Sequence, residues 1–221
     1  MSDPAADATE ETEATSAPRR RPLALIRSFS LADFITLANG ASGMGAVLLS
    51  MSYMADAEPN LMWAALGLLP LALVFDVLDG TVARWRQRSS PFGADLDSLA
   101  DVVSFGVAPA AIAFALGMNG LLDALVLIFF VGCGISRLAR FNATADALMT
   151  NKGKVSHFEG TPIPTSVLLV ILLGVAFATG AVGESLWLGS VSVGPTTLHP
   201  LVLLYAVSGS LMVATVKIPK P

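Results

Sequence analysis

Residues 75–101 read FDVLDGTVARWRQRSSPFGADLDSLAD. An apolar run enters this stretch from the N-terminal side, and another leaves it after Asp101. Arg86 to Pro91 is short, polar and basic, so it reverses the chain between two antiparallel helices. Five carboxylates sit in this hairpin: Asp76, Asp79, Asp95, Asp97 and Asp101. Asp76 and Asp79 are three apart, and Asp97 and Asp101 four apart, so each pair shares a helix face. The two faces can meet across the hairpin.

Working outward, both flanks are strongly apolar. Of 221 residues, 54% are hydrophobic and 14% charged, and the mean hydropathy is +0.69. Soluble domains carry about 45–50% apolar and about 25% charged residues. A chain this apolar needs lipid to solvate part of its surface. Six stretches approach the ~20 residues that cross a bilayer. They are Phe34–Met54, Leu61–Arg84, Leu96–Leu116, Leu121–Arg137, Pro162–Ala181 and Leu198–Val216. The fourth is short, and is expected to tilt or extend. The expected fold is all-α: a polytopic membrane protein with six transmembrane helices. Residues 34–217 form that domain. Residues 1–18 read as a disordered acidic tail, and residues 19–33 as a basic, amphipathic interfacial segment. The tail lacks the pattern of a signal peptide.

Charge gives an independent check. With six spans, all 13 Lys and Arg residues fall on one side, with both termini. The opposite loops hold Asp56, Glu58, Asp123 and Glu184 and no basic residue. Cytoplasmic loops are enriched in Lys and Arg, so both termini and the carboxylate hairpin are expected to face the cytoplasm. The single cysteine, Cys133, excludes an internal disulfide and a multi-Cys zinc site. It reads as a packed thiol.

Carboxylates within a span are costly and usually functional. Four of them converging require a cation, and an all-oxygen donor set favours Mg²⁺ or Mn²⁺. Four carboxylates suffice for two ions, an arrangement that suits phosphoryl-type transfer. Gly80 and Ala83 project near Asp76, leaving an open face for a bulky ligand. Arg84 suits a phosphate, and Gly93 opens the next helix at its anion-favouring end. A set of intramembrane ion pairs is the bland alternative; it leaves several charges uncompensated. A metal or proton transporter is the other, although no internal repeat is visible.

The pattern Asp76-x-x-Asp79-Gly80-x-x-Ala83-Arg84, then eight residues, Gly93, three residues, Asp97, three residues, Asp101 resembles the signature of the CDP-alcohol phosphotransferase family at every fixed position. The resemblance implies that Asp76, Asp79 and Asp97 ligate one metal ion. Asp76, Asp97 and Asp101 would ligate a second, and Asp101 would be the general base. Gly80, Arg84 and Ser90 match positions that hold the CDP group. Asp95 lies outside the signature and reads as a solvated helix-end charge. Members often open the first span with Pro-Asn; here Ala32-Asp33 replaces it, while Thr36 and Asn39 remain. Those two would reach the cytosine, or hydrogen-bond between helices.

Leu96–Pro109, Ser136–Asn142 and Phe158–Pro164 are similar to the phosphatidylserine synthase branch of that family. That similarity implies CDP-diacylglycerol as donor, L-serine as acceptor, CMP as leaving group and a homodimer in the cell membrane; no nucleic-acid partner is expected. Serine is a zwitterion, and its carboxylate needs a cation. Arg137 and Arg140 end the fourth span on the expected active side, and Asn142 can assist. Positive-inside anchoring is the plain reading of both arginines. Acceptors such as glycerol 3-phosphate, inositol phosphate or choline are the enzymatic alternatives. His157 has no evident partner, and His199 reads as a loop residue.

Overall fold

The computed structural model describes residues 30–85, 91–150, 157–214 and 217–219, with backbone alone at 83–85, 91, 145–150, 157–159 and 217–219. The proposed tail and most of the basic segment, at residues 1–29, lie outside the described residues.

The first helix, α1, spans Leu31–Asp56. Its start is written in the sequence as a capping box. The Ser30 backbone N–H donates to Asp33 Oδ2 at 2.6 Å, and the Asp33 N–H donates to Ser30 Oγ at 3.3 Å. Residues 31–33, read from sequence as interfacial, are thus the first turn of α1. The helix is inverted relative to a soluble one. Its buried stripe is Asp33, Thr36, Asn39, Ser42, Gly43, Ala46 and Ser50. Phe34, Leu37, Met44, Leu48 and Met51 point outward and are exposed. Small and polar residues inside, with large apolar ones outside, is the arrangement lipid solvation demands.

The second helix, α2, runs Pro59–Trp85 with Pro70 inside it. The third crossing is one continuous run in three parts: α3 (Pro91–Asp101), a π-helical turn (Val102–Val107) and α4 (Ala108–Ala115). Next comes α5 at Leu121–Thr150. It passes well beyond Arg137, where the sequence reading ended the fourth span. The residues that follow, LARFNATADALMT, include the good helix formers Ala, Leu and Met and no helix breaker.

The last two helices are shorter than expected. A 3₁₀ turn at Ile163–Ser166 leads into α6, Val167–Ala178. Pro162 and Pro164 constrain that entry. A 3₁₀ turn at Pro200–Val202 leads into α7, Leu203–Val213. Leu198, expected to begin the sixth span, instead ends a strand. Two small antiparallel ribbons qualify the all-α expectation. β1 (His157–Glu159) pairs with β4 (Lys217–Pro219), and β2 (Val191–Val193) pairs with β3 (Thr196–Leu198). The chain is therefore a helical, multi-pass membrane protein. Four helices among the described residues are long and apolar enough to span: 31–56, 59–82, 92–115 and 121–144.

Contacts gather the helix ends into two groups. At one end, the Phe177 ring meets Tyr53 and Trp63 edge-on, at 5.8 and 5.1 Å between centroids. There too the Gly183 N–H donates to the Leu116 carbonyl at 2.8 Å, and Gly120 lies directly against the Thr197 carbonyl. Asp123 and His199 form a buried pair at the same end. The Asp123 Oδ2 lies 2.6 Å from His199 Nδ1 and accepts the Gly120 N–H at 3.1 Å, while Oδ1 accepts the His199 N–H at 2.8 Å. His199 is thus a latch between α5 and the turn leading into α7, more than the loop residue the sequence suggested. At the other end, the β1–β4 pairing joins the segment before α6 to the one after α7. Gly160 adopts φ +74 and sits against the Met212 carbonyl, where a Cβ would collide. Between these ends lies a core of Met62, Leu69, Phe105, Ile112 and Phe130, with Tyr205, whose hydroxyl donates to the Pro109 carbonyl at 3.1 Å.

Candidate active site

The carboxylates lie at the end of the bundle away from Phe177. α2 delivers Asp76 and Asp79, and α3 delivers Asp97 and Asp101. Asp76, Asp97 and Asp101 each present an oxygen, and these oxygens lie within 4.8 Å of one another. Asp101 is 6% exposed and Asp79 5%. Asp79 stands beside this trio, and its Oδ2 accepts a 2.6 Å hydrogen bond from the buried Thr36 hydroxyl. The two carboxylate faces thus meet, as a tight trio and one carboxylate fixed by α1.

Three carboxylates this close repel strongly, the more so away from bulk water. One oxygen makes the need for a partner specific. Asp97 Oδ1 is buried and has no hydrogen-bond partner among the described residues. Buried polar atoms are rarely left so. The donor set is all oxygen, which fits a hard divalent cation and not a zinc site built on His and Cys. The cluster can hold a divalent metal ion.

Gly80 keeps open space above it, with nothing within 4 Å of where a Cβ would stand. That agrees with the open face read from the sequence. Arg84 lies on α2, but its side chain, like Ser90, is outside the described residues.

The α1 residues do something the sequence left open. Thr36 donates to Asp79, and the Asn39 Nδ2 donates to Asp101 Oδ1 at 3.1 Å. Both hand their donors to carboxylates on neighbouring helices. Ser104, on the π turn, had no hydrogen-bond partner assigned from the sequence; its buried hydroxyl donates to the Asn39 carbonyl at 2.9 Å. A polar side chain three residues after Asp101, inside a span, was the available signal.

The three residues considered for serine have different settings. Arg137 is half-buried, and its Nε is buried without a partner among the described residues. Arg140 is exposed, with a long 3.5 Å contact to the Val213 carbonyl. Asn142 accepts from the Ser98 hydroxyl at 3.2 Å and donates to Asp95 at 3.4 Å. Asp95 is exposed as expected, yet it orients Asn142. Cys133 is buried, matching a packed thiol.

The family model for CDP-alcohol phosphatidyltransferase matches residues 29–211. The chain belongs to this family. Among curated relatives, CDP-diacylglycerol–serine O-phosphatidyltransferase of Saccharomyces cerevisiae is 41% identical over 201 residues, covering 89% of this chain and 73% of the yeast protein. Archaetidylserine synthase of Methanothermobacter thermautotrophicus is 40% identical over 149 residues, 66% of this chain and 58% of its own. CDP-diacylglycerol–serine O-phosphatidyltransferase of Methanocaldococcus jannaschii is 37% identical over 142 residues, 64% and 59% of the two chains. The chain thus spans somewhat more than half the length of both archaeal relatives.

Proposed function

We propose that this protein transfers the phosphatidyl group of CDP-diacylglycerol to L-serine, giving phosphatidylserine and CMP. The observation that carries the reading is the trio Asp76, Asp97 and Asp101 within 4.8 Å, with the buried, unpartnered Asp97 Oδ1 among them. The names of the yeast and M. jannaschii relatives supply donor and acceptor.

Asp76, Asp79, Asp97 and Asp101 would hold two divalent ions, Mg²⁺ or Mn²⁺. When bound, such ions neutralise these carboxylates and offset the negative charge of the diphosphate. The residues of the chain do the rest. Gly80 leaves room for the diphosphate to approach α2, with Arg84 and Ser90 as its further contacts. Thr36 and Asn39 enter through the carboxylates they orient. Arg137 clasps the serine carboxylate, and Arg140 and Asn142 line the same seam. Asp101 accepts the proton of the serine hydroxyl. The serine oxygen bonds to the β-phosphorus, the bond from that phosphorus to the bridging oxygen breaks, and CMP leaves with that oxygen.

The membrane arrangement belongs to the same reading. α6 and α7 with their 3₁₀ lead-ins, residues 163–178 and 200–213, are the fifth and sixth spans. At 1.5 Å per residue they cover only about 21–24 Å, so they need their flanking turns or local thinning of the bilayer. The distribution of Lys and Arg puts both termini and the site on the cytoplasmic side of the cell membrane. The working unit is a homodimer.

The test is direct. Purified protein, CDP-diacylglycerol, Mn²⁺ or Mg²⁺ and a panel of labelled alcohols are assayed for CMP release. Serine is expected to dominate. CMP release with glycerol 3-phosphate, inositol phosphate or choline in its place would reassign the acceptor. No CMP release with any alcohol, together with metal flux in vesicles, would favour a transporter.

A further inference from the structure

We infer that Asn39, braced by Ser104, is a positioning residue that fixes the Asp101 carboxylate for proton acceptance. The inference rests on the reading of Asp101 as the base. Both Asn39 and Ser104 are 0% exposed. The Asn39 amide spends its two ends unequally. Nδ2 donates to Asp101 Oδ1 at 3.1 Å, while Oδ1 is buried with no partner among the described residues. An asparagine retained to tie helices together would be expected to satisfy both ends, because an unmade buried hydrogen bond is costly. Here the one bond made goes to the candidate base.

The backbone of Asn39 is itself held. Ser104 Oγ donates to its carbonyl at 2.9 Å. That contact requires α1 and the π turn to come together closely, and Gly43 permits it. A Cβ on Gly43 would sit 2.5 Å from both Cα and Oγ of Ser104. At Gly40, one turn earlier, a Cβ would make only an ordinary contact, 3.4 Å from that of Ala100. Ser104 lies in the π turn that begins directly after Asp101. The chain therefore closes a loop: Asp101, its own following turn, Ser104, the Asn39 backbone, the Asn39 amide, and Asp101 again. Such a loop fixes both the position and the rotation of one carboxylate. Free carboxylate rotation would place the accepting oxygen away from the hydroxyl for part of the time, which lowers turnover without weakening substrate binding.

The test separates positioning from nucleotide contact and from plain stability. Asn39→Ala, Ser104→Ala and the double variant are purified in lipid nanodiscs. CDP-diacylglycerol binding is measured by calorimetry, and kcat and KM by CMP release. Loss of a hydrogen bond to a charged group predicts a kcat for Asn39→Ala lower by about tenfold to a hundredfold. The binding stoichiometry, the Kd for CDP-diacylglycerol and both KM values are expected to stay within about twofold of wild type, by the same separation of binding from turnover. Ser104→Ala is expected to lose several-fold in kcat, and the double variant to match Asn39→Ala, because Ser104 acts through Asn39. A raised Kd for CDP-diacylglycerol with unchanged kcat would overturn the inference in favour of a nucleotide contact. Independent, multiplying losses in the double variant would reduce both residues to structural ones. Should Asn39→Ala fail to accumulate, Ser104→Ala alone decides, and wild-type kcat there overturns the inference. Asp101→Asn run alongside tests the underlying reading: full turnover in that variant removes the base itself, whatever Asn39 does.

Discussion

Asp97 and Arg137 each carry a buried polar atom without a partner among the described residues. At Asp97 the orphan is an acceptor among acceptors, a setting that suits a cation. Replacing Asp76 or Asp97 with Asn is expected to abolish CMP formation and to weaken Mn²⁺ binding measured by calorimetry. Full activity of either variant in excess EDTA would defeat the metal reading. At Arg137 the orphan is a donor beside the candidate base, which suits an anionic part of the acceptor. Truncating Arg137 to Ala is expected to raise the KM for serine about tenfold or more, as loss of a charge-assisted bond implies. The KM for CDP-diacylglycerol should hardly move, and Lys should rescue only in part, since it keeps the charge and loses the fork. Arg140→Ala, at an exposed position, is expected to have the smaller effect. A wild-type serine KM in Arg137→Ala would leave that arginine as a membrane anchor.

At the scale of elements, the helices meet through small residues and tight polar ties. Gly134 receives the Ile163 side chain, where a Cβ would lie 2.8 Å from Ile163 Cδ1, and a Cβ on Gly209 would lie 3.2 Å from Phe130 Cα. Small residues let helices approach when lipid supplies no hydrophobic drive between them. The Asp123–His199 latch does the same by hydrogen bonding, far from the carboxylate trio. His199→Ala removes one partner of a fully buried carboxylate, at a cost of about 1–3 kcal/mol. The expected result is a lower thermal midpoint in detergent, with kcat at low temperature near wild type. An unchanged midpoint would mean that the latch contributes nothing to stability.

The whole molecule alternates its helix ends between two faces, one holding the carboxylates and the other holding Phe177, Gly183 and His199. If six crossings underlie this, a cysteine placed at residue 10 and one placed at residue 195, each in a Cys133→Ser background, should react from opposite sides of sealed membrane vesicles with a membrane-impermeant maleimide. Labelling of both from one side would break the six-span arrangement. The short α6 and α7 make this measurement informative, because neither reaches the full thickness of the hydrocarbon core by itself.

Much of this protein could be read from its sequence, for a physical reason. A membrane sequence reports its environment residue by residue: apolar runs and misplaced carboxylates each have a large transfer cost, so their positions point to the long apolar helices and to the carboxylate cluster. The aspartate spacing within each helix likewise followed from 3.6 residues per turn. Tertiary structure decided what spacing cannot encode, namely which side chains meet across helices. Thr36 and Asn39 could have faced a nucleotide or a neighbour, and only packing of α1 against α2 and α3 gave them to Asp79 and Asp101. Asp123 and His199, 76 residues apart, became a buried pair through the docking of α5 with the turn before α7. The starts of α6 and α7 follow proline-bearing 3₁₀ turns, which hydropathy alone does not register. Contacts between segments distant in the chain depend on the free energy of the whole assembled bundle, and no local pattern carries that information.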